Sequence, residues 1–397
     1  MLIVADNCAA RGKAARAARR SASGLVLSDV QAQLEVWDAA RAARDYETAD
    51  AIRSELVALG INPRHNGKDR RASEGGVGFY DCDEEWVSQM RSLRFISAEH
   101  CLASTRFCGH SRLPRYRDLP PAEAFETAVS FGRTIFAALA AGPPSVVCVF
   151  KPYLEGFAAG FAAAATATTA RATPFVLLCV NGGDKPLTRA LQGVLCSLPG
   201  LRTCFATNLL SPSEPQRFRP LSIGLAGGSD GHFFETALAD AAAAAPSWEE
   251  RDSRLLVPPM KRNGRGKVRD AYIDVLSRPE FATLVHIVHE RRPLRDFLAL
   301  LTRHKCALSP PGRGYDSFRT WQAVALGTVP LVTVDATFDA RLYEGRGPVA
   351  IPRPKDLVPN GLRDILESAC PPTAANIDAL TMQHWSAIWA GCLREGA

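Results

Sequence analysis

Short, wholly apolar runs alternate with helix-like stretches across the second half of this chain, and few folds accept that order. Ser145 to Phe150 reads as a buried strand, Glu155 to Thr169 as a helix, Phe175 to Val180 as a second buried strand and Leu187 to Leu198 as another helix. After Pro246 to Arg254, a hinge candidate, the alternation restarts with strands at Leu255 to Val257, Thr283 to Val288, Cys306 to Ser309 and Val329 to Val334. Helices predicted over Lys267 to Leu276, Leu294 to Thr302 and Ser317 to Leu326 separate them. Fully apolar strands joined by helices imply parallel sheets covered on both faces. The expected fold is α/β, with two Rossmann-like lobes and a ligand cleft between them at the carboxyl ends of the strands.

At 397 residues the chain exceeds one ordinary core. The composition, 47% hydrophobic and 22% charged, is that of a folded globular protein. A formal charge of +6 is too small for a general nucleic-acid binder but suits anionic small ligands. The 11 cysteines are odd in number, lack any CxxC and fall mostly in apolar runs, which points to buried free thiols. No run reaches the roughly 20 apolar residues of a membrane-spanning helix.

The amino-terminal part has a different texture. Residues 1–28 form a basic arm, with Arg11, Lys13, Arg16, Arg19 and Arg20 against Asp6. Residues 29–61 read as a helical hairpin: Val30, Leu34 and Trp37, then Ala49, Ile52, Leu56 and Leu59, recur at helical spacing, with Gly60 placed to end the second helix. Residues 62–121 are linker and irregular chain, 122–248 the first α/β lobe, 249–360 the second, and 361–397 a helical tail.

The sharpest motif is KCALSPPGRGYDSFRTWQAVALGTVPLV, Lys305 to Val332. A strand delivers the chain into a Pro/Gly loop containing Pro311, Gly312, Arg313 and Gly314, where glycine permits close backbone approach to a ligand. Asp316 or Ser317 then caps a helix whose free N–H groups point back to the loop. Arg319, in its first turn, would offer a planar fork to a diphosphate. A plain turn before a core helix, with Arg319 solvated, fits the same pattern.

This string resembles the donor signature of exostosin-like glycosyltransferases, which belong to glycosyltransferase family 47 and are of GT-B type. Pro311, Gly312, Gly314, Asp316, Arg319, Trp321, Ala323, Gly327 and Pro330 fit position by position. FVLLCVNGGDKP (Phe175 to Pro186), CFATNLLSP (Cys204 to Pro212, with Asn208) and RPLSIGL (Arg219 to Leu225) extend the likeness to roughly residues 146–352. The resemblance implies metal-independent transfer of a sugar from a nucleotide-sugar donor, a UDP-sugar by preference, to a hydroxyl of a glycan or glycoprotein acceptor. No other cofactor is expected. The acid that usually follows the aromatic, and holds the donor's ribose, is Gln322 here. Arg269 is a second phosphate candidate, Asp184 the candidate base on the acceptor side, and Tyr343 a cleft-lining candidate. Relatives commonly sit in the Golgi behind an amino-terminal anchor that is absent here, so a membrane enters only if such an anchor precedes this chain.

Other signals are weaker. The hairpin wording AARAARDYETADAIRSELVALGI is similar to the carboxy-terminal helices of cysteinyl-tRNA synthetases, without that family's HIGH and KMSKS strings. It leaves two rival readings: a catalytically silent glycosyltransferase fold that binds a partner, with Gln322 as the clue, or an RNA-associated adaptor. Asp81-Cys82-Asp83 reads as a solvated acidic turn. His100, Cys101, Cys108 and His110 match no usual zinc spacing. His286 and His289 read as core or rim histidines, and no metal ligands are expected.

Overall fold

In the computed structural model the chain forms two compact units, Met1–Gly78 and Phe79–Ala397. The structure describes Val36, Thr48, Ile52, Arg94, Cys101, Phe107, Cys108 and residues 121–180, 186–225, 231–260, 268–334 and 337–394. Val36, Thr48 and Ile52 are helical; the rest of the expected hairpin, the Asp81 turn, His100 and His110 lie outside the described residues.

The second unit holds two all-parallel sheets. In the first, β1 (Phe107–Cys108), β2 (Ser145–Phe150), β3 (Phe175–Val180), β4 (Leu201–Ala206) and β5 (Phe218–Pro220) lie side by side in chain order. Strands β2 and β3 are rich in Val, Leu and Phe; every residue of β3 is buried, as a strand covered on both faces must be. One face carries α1 (Pro121–Ala140) and α2 (Leu154–Thr166). These helices touch backbone to backbone: a Cβ on Gly160 would lie 1.9 Å from the Val129 carbonyl oxygen and one on Gly132 2.1 Å from that of Phe157. Helix α3 (Arg189–Cys196), capped by Thr188, follows β3.

In the second sheet, β6 (Asp252–Val257), β7 (Val285–Ile287), β8 (His304–Leu308), β9 (Val329–Val332) and β10 (Val349–Ala350) take the order β10-β9-β8-β6-β7. Helices α4 (Gly231–Ala243), α6 (Leu294–Thr302) and α7 (Phe318–Ala325) cover one face, and α5 (Val268–Leu276) with α8 (Pro359–Ser368) the other. The two-lobed parallel α/β architecture expected from the sequence is therefore present.

After the short α9 (Ala374–Asp378), α10 (Met382–Arg394) returns to the first lobe. Its Met382, Trp385, Trp389 and Cys392 cover the open face of that sheet, packing with Cys148, Val176, Leu178 and Phe205. Helix α10 thus completes the first lobe's core. Among the described residues no helix is long and apolar enough to cross a membrane.

Candidate functional site

Strand order fixes where a ligand would sit. In the second sheet the chain steps from β6 outward to β7, crosses back to β8 on the other side of β6, and continues to β9 and β10. The reversal lies between β6 and β8, and in open α/β sheets the crevice beyond the carboxyl ends of two such strands is where ligands bind. The segment leaving β8 is the Pro/Gly motif, and the one leaving β6 runs through Pro258–Met260 to α5.

Two arginines brace these segments reciprocally. Arg269, at the start of α5, donates from Nε to the Pro311 carbonyl oxygen at 3.0 Å. Arg319, in the first turn of α7, donates from Nη2 to the Pro259 carbonyl oxygen at 3.2 Å. Both are half-buried, and among the described residues neither pairs with a carboxylate. Arg319 Nε is fully buried without a hydrogen-bond partner among the described residues. Burial, and next the like charge of Arg269, lower the Arg319 guanidinium to about 10, so it stays charged at neutral pH. Burial also lowers Arg269. Two cations held together at a switch point, without a carboxylate partner among the described residues, form a locus that an anion would relieve.

The loop itself is shaped by close approach. A Cβ on Gly312 would lie 2.7 Å from Arg269 Nη2, and one on Gly314 2.7 Å from Asn208 Nδ2. Asn208, from the first lobe, has a positive φ of 51°, which asparagine tolerates better than most residues. Its Oδ1 accepts from the Asp316 backbone N–H at 2.9 Å, so a residue of one lobe sets the loop of the other.

Asp316 is buried, and its carboxylate accepts from the Ile223 N–H (2.9 Å), the Ser317 N–H (2.8 Å) and Trp321 Nε1 (3.0 and 2.9 Å). Burial raises its pKa to about 6, against the pull of these donors and of Arg346. Ser317 stands at the N-cap without a side-chain capping bond. Phe318 is exposed at the helix start, Arg313 is exposed, and Gln322 is buried in α7. Tyr343 is buried against Trp321 and Phe338, its ring centroids 5.9 and 5.6 Å away; burial first, then Asp316, pushes its hydroxyl well up.

The structure thus gathers Pro311, Gly312, Gly314, Asp316, Ser317, Arg319, Arg269 and Asn208 around one loop, with Tyr343 packed behind α7. Asp184 lies outside the described residues. Sequence reasoning passed over Lys151, a buried lysine directly after β2 whose Nζ donates to the Thr207 carbonyl oxygen at 3.1 Å, beside Asn208. A lysine ending a wholly apolar strand was the available signal. It also passed over Arg346, whose guanidinium lies 5.0 Å from the Trp385 ring centroid and whose charge reaches Asp316.

No protein-family model matches the chain, and no curated protein matches its sequence. Among solved structures it is similar to an alpha,alpha-trehalose 6-phosphate synthase from Burkholderia multivorans (13% identity, 71% of this chain and 78% of that one covered, TM-score 0.40). It is also similar to a UDP-forming alpha,alpha-trehalose-phosphate synthase from Burkholderia xenovorans in complex with glucose-6-phosphate (12%, 69% and 78%, TM-score 0.39). One from Burkholderia vietnamiensis gives 12%, 72% and 78%, with a TM-score of 0.35. Likeness of this depth carries no argument about the reaction, and the parallel sheets stand on their own hydrogen bonding.

Proposed function

We propose that this protein is a metal-independent glycosyltransferase of exostosin-like type, which moves a sugar from a nucleotide-sugar, preferentially a UDP-sugar, to a hydroxyl of a glycan or protein-linked acceptor. The observation that carries the reading is the pair Arg269 and Arg319, half-buried where the strand order reverses and paired with no carboxylate among the described residues. In the transfer, the bond between the sugar's anomeric carbon and the diphosphate oxygen breaks and the diphosphate keeps the electron pair. The two guanidinium groups and the first N–H groups of α7 would take up the charge that develops there. The acceptor oxygen forms the new bond, and Asp184 is proposed to take its proton.

Calorimetric titration with UDP tests the reading. The parent should bind, and Arg319→Ala should bind about 10- to 100-fold more weakly, the value of one charge-assisted contact. Equal affinity in parent and variant removes Arg319 from the site, and a parent that binds neither UDP nor any UDP-sugar removes the reading. A second reading, a binding protein that keeps the donor site but not turnover, is favoured by Gln322 in place of an acid. It predicts UDP binding without transfer, in both the parent and Asp184→Asn.

A further inference from the structure

We propose that Asp252, His286 and His304 form a binding site for one zinc-class divalent ion in the second lobe, remote from the donor loop. The three residues sit on neighbouring strands β6, β7 and β8, and their ligand atoms all lie within 4.8 Å of one another. Two imidazole nitrogens and one carboxylate oxygen suit Zn²⁺ or Co²⁺ and not the all-oxygen preference of Mg²⁺ or Ca²⁺. His286 Nδ1 and His304 Nε2 are 2.8 Å apart, their rings tilted by 34° with centroids 5.0 Å apart, and His304 Nε2 is 3.7 Å from Asp252 Oδ2.

The tautomers follow from the surroundings. His304 is buried and its Nδ1 lies 3.0 Å from the Leu300 carbonyl oxygen, which can only accept, so Nδ1 carries the proton and Nε2 keeps its lone pair. A ligating imidazole is characteristically fixed in this way by a backbone carbonyl on its far nitrogen. His286 Nδ1 must then supply the proton shared with His304 Nε2. An ion takes the place of that shared proton once His286 carries its one proton on Nε2 in place of Nδ1, so both rings stay neutral as two nitrogen–metal bonds form. Nitrogens bound at about 2.0–2.1 Å to one tetrahedral ion stand about 3.3 Å apart, so the rings need open by only about half an ångström. Asp252 also receives Arg254, whose Nη2 is 2.6 Å from Oδ2. The Arg254 Nε also donates to both carboxylate oxygens at 3.1 Å, so an ion would have to displace this exposed guanidinium from Oδ2 while the Arg254 backbone N–H keeps Oδ1.

Two of the three ligands, Asp252 and His304, lie at the opposite end of the sheet from the arginine pair, while His286 stands in register with Leu256. Asp252 and His304 are the first residues of β6 and β8, whereas the donor segments leave the last; the five steps along β6 separate its two ends by about 17 Å. An ion here would staple three strands, not take part in transfer, and its test is independent of the glycosyltransferase reading.

The full chain, stripped with a chelator and desalted, is titrated with Zn²⁺ and separately with Co²⁺. The expected result is one ion per chain, visible Co²⁺ absorption of a nitrogen- and oxygen-ligated ion, and a raised melting temperature. Binding should weaken by at least about 10- to 100-fold in His286→Gln and in His304→Gln. The Cys370→Ser variant, which removes an exposed thiol, should bind like the parent. UDP affinity, measured alongside, should be the same in all of them. Absence of Co²⁺ absorption, or unchanged Zn²⁺ affinity in the histidine variants, overturns the site. Should a histidine variant fail to fold, Asp252→Asn, at a half-exposed position, decides the matter by the same two readouts.

Discussion

Asp316 shows how one residue can be legible by type and illegible by role. Its place before a helix marked it as a cap and a donor-site candidate, but its oxygens receive the Ile223 and Ser317 amides and the Trp321 indole, groups 93, 1 and 5 residues away. Because burial raises its folded pKa to about 6 from an ordinary value of 3.8, the folded state binds the proton more tightly than the unfolded chain. The contribution is fully present below the unfolded value and is lost as pH rises through the folded one, to a full extent of roughly 3 kcal/mol. Urea unfolding at pH 4.5 and pH 7 should therefore cost the parent about 2 kcal/mol more than Asp316→Asn over that interval. Parallel behaviour of the two proteins would show that Asp316 does not titrate in this range. Arg319 was legible as a cation in a first turn; that Arg269 repels it from another segment was not, because the two lie 50 residues apart in sequence.

Elements were read best where their sequence was least ambiguous. Strands β3 and β9, and β2 after Ser145, are apolar and α5, α6 and α7 periodic, and these emerged within a few residues of their expected bounds. Strand β4 carries Arg202 and Thr203 and β5 spans only three residues, so neither announces itself by hydrophobicity. Helix α10 illustrates what an amphipathic pattern omits: its Trp385 and Trp389 require a partner surface but do not name it. Trp385 is 1% exposed and meets Phe205 edge-on at 6.0 Å. Trp385→Ala should destabilise the protein by about 3–5 kcal/mol in denaturant unfolding, the cost of emptying a large aromatic site. A loss below 1 kcal/mol would mean that the helix does not seal the first sheet.

At the scale of the whole second unit, the lobes are stitched by backbone as well as by Asn208. Leu210 bridges Phe338, the Ser211 N–H donates to the Thr337 carbonyl oxygen at 2.9 Å, and the Asp339 N–H donates to that of Leu209 at 3.1 Å. Arg341, from the second lobe and held by Asp339, donates to the carbonyl oxygens of Pro215 (2.9 Å) and Phe218 (2.8 Å) in the first. Such ties predict that the unfolding of the two lobes is coupled. Arg341→Ala removes these donors and leaves the Asp339 carboxylate without its cation, for a loss of about 1–3 kcal/mol. Calorimetry should then resolve a broadened or split transition where the parent gives one. A single sharp transition in the variant would assign the coupling to the backbone contacts alone.

The sequence by itself determined the layer plan, the parallel sense of the strands, the Pro/Gly loop before α7 and the cationic first turn, because periodicity, apolar runs and turn chemistry are properties of contiguous residues. Only the tertiary structure decided which loops became neighbours. The β7-β6-β8 order placed Arg269 against Pro311 and Arg319 against Pro259, and drew Asp252, His286 and His304 together from three strands. The same folding gave the first lobe its last core helix from the far end of the chain. Strand order and helix destination depend on which surfaces bury one another most completely, a competition among distant segments that no local pattern records.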